Sequence, residues 1–202
     1  MFNLSINKLK NAKLQLDPWP HIIIENYIDE RTSVKLSKKM QLEFSWKVDT
    51  HKDMKDCVKV ANNKTYFEHF GSKEFCKILV EKFNNNLPSK YLVSQTNTWH
   101  IKGASLPAHT DMHCVLNTNE KLNSNYLDCL TYQIYLPDTA EFPNSGVWLH
   151  GKWNDDRYEK IKQISCQPGT FFAYINTKRS YHSVPEQINE FNRVSHMGRI
   201  YW

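Results

Sequence analysis

From Lys90 onward the chain reads as a series of short runs: KYLVSQTNTWHIK (90–102), DCLTYQIYL (128–136), GVWLH (146–150), KIKQISC (160–166), TFFAYI (170–175) and RVSHMGRIYW (193–202). Their β-branched and aromatic residues suit a pleated, half-buried surface. Turn formers separate them, in KGAS (102–105), FPNSG (142–146) and QPG (167–169). Many short strands punctuated by Pro and Gly predict a sandwich or barrel.

The first half reads differently. PHIIIENYI (20–28) suits a buried strand, and Asp29 offers an N-cap for a helix through ERTSVKLSKKMQ (30–41). Val34, Leu36 and Met40 are its inward positions, and KLSKK (35–39) is its solvated face. A second helix is predicted from Ser72 to about Asn85, because Phe75, Ile78, Leu79 and Phe83 recur at helical spacing. Asn84, Asn85, Asn86 and Pro88 stop it. With helices gathered in the first half, the economical fold is mainly β: a cupin-like jelly roll buttressed by N-terminal helices. One domain is expected over 1–202, with the helical buttress in about 1–90 and the jelly-roll core in about 91–202.

Bulk properties narrow the function classes. A chain of 202 residues with 40% hydrophobic and 13% aromatic content is globular and not disordered. The formal charge of +5 favours acidic partners only slightly, and nucleic acid is not the expected partner. Five cysteines (Cys57, Cys76, Cys114, Cys129, Cys166) form no CxxC pair, which points to reduced thiols in a cytoplasmic protein. The start, MFNLSINKLKNAKLQL (1–16), breaks its apolar residues with Asn and Lys and does not read as a secretory signal. No stretch is apolar and long enough to span a bilayer, so no membrane partner is expected.

Two distant stretches carry the chemistry: LPAHTDMH (106–113) and YHSVPEQINEFNRVS (181–195). On a strand, His109 and Asp111 point the same way. A His-x-Asp triplet alone is weak evidence, but His182, from a distant strand, completes a 2-His-1-carboxylate set. Such a set holds Fe(II) on one face and leaves the other open. Arg193, at the start of the last strand, supplies a fork that grips a carboxylate. Together they describe an iron oxygenase with a small dicarboxylate co-substrate.

Rival imidazoles can be ranked. His113 also pairs with Asp111 and stays open as a replacement for His109. His150 has no Arg at a useful distance, and His196 falls on the opposite face of the last strand from Arg193. His100 alternates away from Trp99 and reads as exposed or structural. Arg199, six residues after Arg193, faces the same side. It stays open as an alternative anchor, as a partner of Asp111, or as a surface ion pair.

These motifs resemble the Fe(II)/2-oxoglutarate-dependent dioxygenase superfamily, in the branch that includes prolyl 4-hydroxylases. The resemblance runs from PWPHIIIENYIDE (18–30) to the C-terminus. It is strongest at LPAHTDM, LTYQIYLPD, NSGVWLHG, QPGTFFAYINTKRSYHSV and RVSHMGRIYW. It implies a double-stranded β-helix, with His109, Asp111 and His182 as iron ligands and Arg193 pairing with the distal carboxylate of 2-oxoglutarate. Ser195 matches a frequent helper, while Trp99 and Tyr135 match aromatic positions that border the co-substrate or simply fill the barrel. The cofactors implied are Fe(II), 2-oxoglutarate and O2, with ascorbate as an accessory reductant.

The activity implied is hydroxylation of a peptidyl residue, amino acid or small metabolite, releasing succinate and CO2. The carboxylate of Asp111 favours hydroxylation over halogenation, since halogenating relatives lack one there. Two alternatives stand beside this. An Arg-x5-Arg ending resembles the nucleic-acid demethylases of the same superfamily, and a jelly roll can also serve as a non-catalytic metal-binding module. Residues 46–64 are expected to form a mobile connection across the site's mouth. HGKWNDDRYEK (150–160) reads as a groove lining or a long hairpin, with Trp148 and Trp153 nearby.

Overall fold

Strand alternation sorts the second half of this chain into two opposed layers. The structure is a computed structural model that describes residues 6–48, 58–63, 66–123, 125–154 and 157–202. Strands are numbered along the chain. One sheet runs, in spatial order, β1 (His21–Ile24), β9 (Phe171–Ile175), β6 (Cys129–Pro137), β11 (Arg193–Tyr201), β4 (Leu92–His100), β3 (Val58–Ala61) and β2 (Lys47–Val48). The other runs β5 (Leu106–His109), β10 (His182–Val184), β7 (Trp148–Asn154) and β8 (Arg157–Gln163). Every pairing is antiparallel. The architecture is the double-stranded β-helix expected from the sequence.

The central strands of the larger sheet are buried on both faces. On β6, Leu130, Tyr132, Ile134 and Leu136 join a core with Phe171, Ala173, Val194 and Ile200 from the neighbouring strands. That core is closed by α1 (Ile6–Asn11), α2 (Glu30–Glu43) and α3 (Lys73–Lys82), through residues such as Leu9, Leu36 and Leu79. Alternate residues of the same strands face the smaller sheet, where Tyr135, Phe172 and Tyr174 pack with Val147 and Leu149.

Both predicted helices form, the first on its predicted cap Asp29 and the second, Lys73–Lys82, capped by Ser72. The Asp29 carboxylate accepts from the Thr32 N–H at 2.9 Å, and the Ser72 hydroxyl accepts from the Phe75 N–H at 3.2 Å. Leu36 and Met40 point inward, but Val34 is only half-buried, and Ser33 and Ser37 are buried in its place. The close approach of α2 to the Pro168-Gly169 turn explains this. Gly169 has φ +81, and a Cβ there would lie 1.8 Å from the Ile28 carbonyl oxygen and 2.8 Å from Ser33 Oγ. Only small side chains fit that contact.

Helices are not confined to the first half. Met112–Leu122 forms α4, directly after Asp111, and Asn123 ends it in the left-handed region at φ 47. Val115 is its one buried residue, although Met112, Val115, Leu116 and Leu122 recur at helical spacing along it. In the segment 46–64, β2 is a two-residue edge strand and β3 pairs between it and β4, while residues 49–57 and 64 lie outside the described residues, as does the connection expected there. The 150–160 excursion belongs to the β7–β8 hairpin, of which residues 155–156 lie outside the described residues. Among the described residues no helix is long and apolar enough to cross a membrane.

Candidate metal centre

The pairing of β5 with β10 places His182 directly opposite His109. Opposed residues on an antiparallel pair project to the same side, and the two imidazole centroids are 4.3 Å apart. Asp111 does not continue the strand, which corrects the alternation read from the sequence. β5 ends at His109, and Asp111 occupies the turn that starts α4, with φ −81 and ψ 12. The turn nevertheless delivers the carboxylate to the two imidazoles. Ligand atoms of His109, Asp111 and His182 all lie within 4.8 Å of one another. Asp111 Oδ1 is 3.6 Å from His109 Nε2 and 4.0 Å from His182 Nε2.

The backbone selects the tautomer of both imidazoles. His109 Nδ1 lies 2.9 Å from the Pro107 carbonyl and His182 Nδ1 lies 3.0 Å from that of Ser180. A carbonyl only accepts, so each Nδ1 carries a proton and Nε2 is the nitrogen turned toward Asp111, a metal ligand whenever it is unprotonated. Burial pushes the His182 imidazole down to about 4, against the pull of Asp111. Burial also opposes protonation of His109, but its bond to Asp111 and the Pro107 carbonyl raise it above the ordinary value.

Asp111 is held from its other oxygen. Oδ2 accepts from Tyr174 Oη at 2.9 Å, from Thr131 Oγ1 at 3.3 Å and from Arg199 Nη2 at 3.3 Å. Asn176 Nδ2 in turn donates to Thr131 Oγ1 at 2.9 Å. Burial alone would raise the Asp111 carboxyl, but Arg199 and the two imidazoles hold it well below the usual carboxylate range. The arrangement directs Oδ1 toward both imidazoles and fixes the carboxylate as an anion. Tyr174 and Thr131 were not singled out from the sequence. Their signal was a polar tip on an inward-facing strand position, which needs a buried partner.

These groups border a cavity of about 450 Å³ between the two sheets, whose lining includes His100, Gln133, Arg193 and Arg199. Arg193 is only 1% exposed, yet its Nε and Nη2 have no hydrogen-bond partner. Its guanidinium carbon stands 5.3 Å from the centroid of the Tyr135 ring. Arg199 is committed to Asp111, so the structure separates two arginines that the sequence left interchangeable. They lie six residues apart on β11, about 20 Å along an extended strand.

The remaining sequence candidates divide. Tyr135 sits beside Arg193, with its hydroxyl accepting from the Val147 N–H at 3.2 Å. Ser195 Oγ bridges two cavity residues, at 2.7 Å from Thr98 Oγ1 and 2.8 Å from Gln133 Nε2. Trp99 does not reach the cavity. Its neighbours Thr98 and His100 line it, so alternation sends Trp99 to the other face, where its Nε1 donates to Asn192 Oδ1 at 2.9 Å. His100, expected to be exposed or structural, is instead 9% exposed and lines the cavity. His113 also lines it but stands on α4, outside the three-residue cluster, with Nδ1 bonded to the Thr110 carbonyl. His150 is bonded to Ser183, and His196 stacks on Phe67 away from Arg193.

No family model matches the chain, and no curated protein matches it in sequence. Solved structures do resemble it. A 2OG-Fe(II) oxygenase family oxidoreductase from Burkholderia pseudomallei superposes with a TM-score of 0.57 at 10% identity, covering 90% of this chain and 84% of that one. A Pseudomonas putida prolyl-4-hydroxylase gives 0.57 at 9% identity, covering 97% and 96%. HygX from Streptomyces hygroscopicus, solved with nickel, 2-oxoglutarate and hygromycin B bound, gives 0.58 at 9% identity, covering 90% and 82%. At such identities the likeness is one of fold: the chain folds as the 2-oxoglutarate/Fe(II) oxygenases do.

Proposed function

We propose that this chain is an Fe(II)- and 2-oxoglutarate-dependent oxygenase that hydroxylates a small metabolite, an amino acid or a peptidyl residue. One observation carries the reading: a cavity holds both a preformed His109–Asp111–His182 face and a buried Arg193 whose Nε and Nη2 lack a partner. The donor set of two neutral imidazoles and one carboxylate fits Fe(II) with open positions. The orphaned guanidinium fits a carboxylate, since a buried cation without an anion is costly.

When bound, Fe(II) and 2-oxoglutarate supply the activation of O2, with the keto acid consumed to succinate and CO2. The chain's own residues do the rest by position. His109, Asp111 and His182 hold the metal. Arg199, Tyr174 and Thr131 hold Asp111, and Arg193 fixes the far end of the co-substrate by a charge-assisted bond.

The small-molecule reading draws support from hygromycin B in the HygX structure. The contact of Arg199 with Asp111 gives that arginine a role at the carboxylate and weighs against the nucleic-acid reading. The intact cluster speaks against a non-catalytic module. Among the described residues Cys76, Cys114, Cys129 and Cys166 are free thiols, which supports a reducing, cytoplasmic location.

The test is an anaerobic titration of metal-free protein with Fe(II) and 2-oxoglutarate, watched for the weak visible charge-transfer band of a chelate. The band should appear, and should be lost in His109→Ala and His182→Ala. Iron binding without the band, at any 2-oxoglutarate concentration, would leave only a metal-binding module.

A further inference from the structure

Of the chain's five methionines, Met40, Met112 and Met197 fall among the described residues. Met40 is buried in the helix-covered core. Met112 opens α4, half-buried and next to Asp111 in sequence, but it is not among the residues lining the cavity. Met197 is equally half-buried, and it does line the cavity that holds the His109–Asp111–His182 face.

Strand register sets its distance from the metal face. On β11, Arg193, Met197 and Arg199 line the cavity, while Val194 and Ile200 pack into the helix-covered core. Met197 stands between Gln133 on β6 and Thr96 on β4. The next rung on the same face pairs Arg199 with Thr131, and both of those side chains bond Asp111 Oδ2. Two residues of strand separate the rungs, about 7 Å. An unbranched thioether with three rotatable bonds is free to swing its sulfur across that gap. It is also the readiest oxygen acceptor in the cavity wall, because sulfur takes an oxygen atom on a lone pair with no C–H or O–H bond to break.

We propose that Met197 is a self-oxidation site: when the cavity holds co-substrate but no substrate, its sulfur takes the oxygen atom otherwise destined for the substrate. The inference rests on the oxygenase reading and adds one of the chain's own side chains as a second acceptor. The balance closes without a further reductant. 2-Oxoglutarate loses CO2, one atom of O2 ends in succinate, and the other bonds Sδ to form the sulfoxide. The keto acid supplies two of the four electrons O2 takes up, and the sulfur lone pair supplies the other two. The sulfoxide puts a polar, chiral group into the wall between Arg199 and Arg193, so idling turnover closes the site until a methionine sulfoxide reductase reopens it.

The experiment is aerobic incubation of Fe(II)-loaded protein with 2-oxoglutarate, catalase and no substrate, followed by peptide mass spectrometry. The peptide carrying Met197 should gain one oxygen as succinate accumulates, and isotopically heavy O2 should label it. Met112 should stay unchanged, and omitting 2-oxoglutarate should abolish the gain. Catalase removes any peroxide set free, which would oxidise both methionines alike. Met197→Leu keeps the bulk without the sulfur, so its idling succinate release should not tail off as that of the wild type does. Sulfoxide reductase should restore the wild type and leave the variant unaffected. Succinate without a gain at Met197, or equal gains at Met112 and Met197, would overturn the inference while the oxygenase reading stands. So would a charge-transfer band followed by neither succinate nor oxidation. Iron binding without that band would overturn both.

Discussion

The hydroxyl of Tyr174 lies 2.9 Å from Asp111 Oδ2 and 3.1 Å from His182 Nε2. It has one proton to give, and with the His182 lone pair engaged by a metal that proton belongs to Asp111. Tyr174→Phe keeps the ring against Trp19 and Phe172 and removes only this bond. Metal affinity is expected to fall about 10- to 100-fold, as for other groups that orient a ligand. Chelator competition measures it, and an unchanged affinity would make Tyr174 ordinary core.

Arg199 and Arg193 should fail in different ways. In metal-free protein, Arg199→Met strands the buried Asp111 carboxylate, at a cost of about 3–5 kcal/mol in urea denaturation. Adding Asp111→Asn should restore most of that stability. If 2-oxoglutarate affinity instead collapsed in Arg199→Met with metal still bound, the assignment of the two arginines would be reversed.

Arg193→Met removes the cation whose Nε and Nη2 await a partner. Iron binding should persist, while 2-oxoglutarate binding should weaken by at least about thirtyfold, the low end of losing one side of a buried charge pair. Parallel metal and co-substrate titrations separate the two effects.

Acid should destabilise the metal-free fold early. Burial pushes the imidazoles of His196 and His69 down to about 3 and about 4, from an ordinary value of 6.5. Between pH 6.5 and about 4 the unfolded chain therefore binds more protons than the folded one. Stability is whole above the unfolded value and declines as pH falls below it. A thermal midpoint that stays flat from about pH 7 to pH 5 would contradict this expectation.

Gly198 faces Tyr132 across the β11–β6 pair, and a Cβ there would come within 2.2 Å of the Tyr132 ring. Gly198→Ala should cost about 1–3 kcal/mol by overpacking. Combined with Tyr132→Leu, the loss should be less than the sum of the two singles. Strict additivity would show that the contact relaxes without strain.

His109, Asp111, His182 and Arg193 stand out in the sequence because each sits beside a strong local marker: a strand end, a turn, or the start of the last strand. Sequence alone misled where the signal was physically ambiguous. Both faces of β4 are covered near its end, so the alternation of Trp99 and His100 was plain while the face turned to the cavity was not. α4 was not anticipated although Met112, Val115, Leu116 and Leu122 are helically spaced, because the His-x-Asp triplet just before it satisfies strand alternation equally well. Asp111 was placed on a strand since His-x-Asp satisfies strand alternation as well as it does a turn. Arg199 stayed ambiguous because β11 turns both arginines to one side, and only the Asp111 contact tells them apart.

β5 and β10 are strands of four and three residues, and β5 is the outer edge of its sheet. Strands so short hold one another weakly, yet they carry the two imidazoles. Ligation through His109 and His182 would act as a rivet across that seam, closing by coordination what so few backbone bonds leave loose. Stripping the metal should then unzip this edge ahead of the rest, and amide exchange along 106–109 and 182–184 would quicken first.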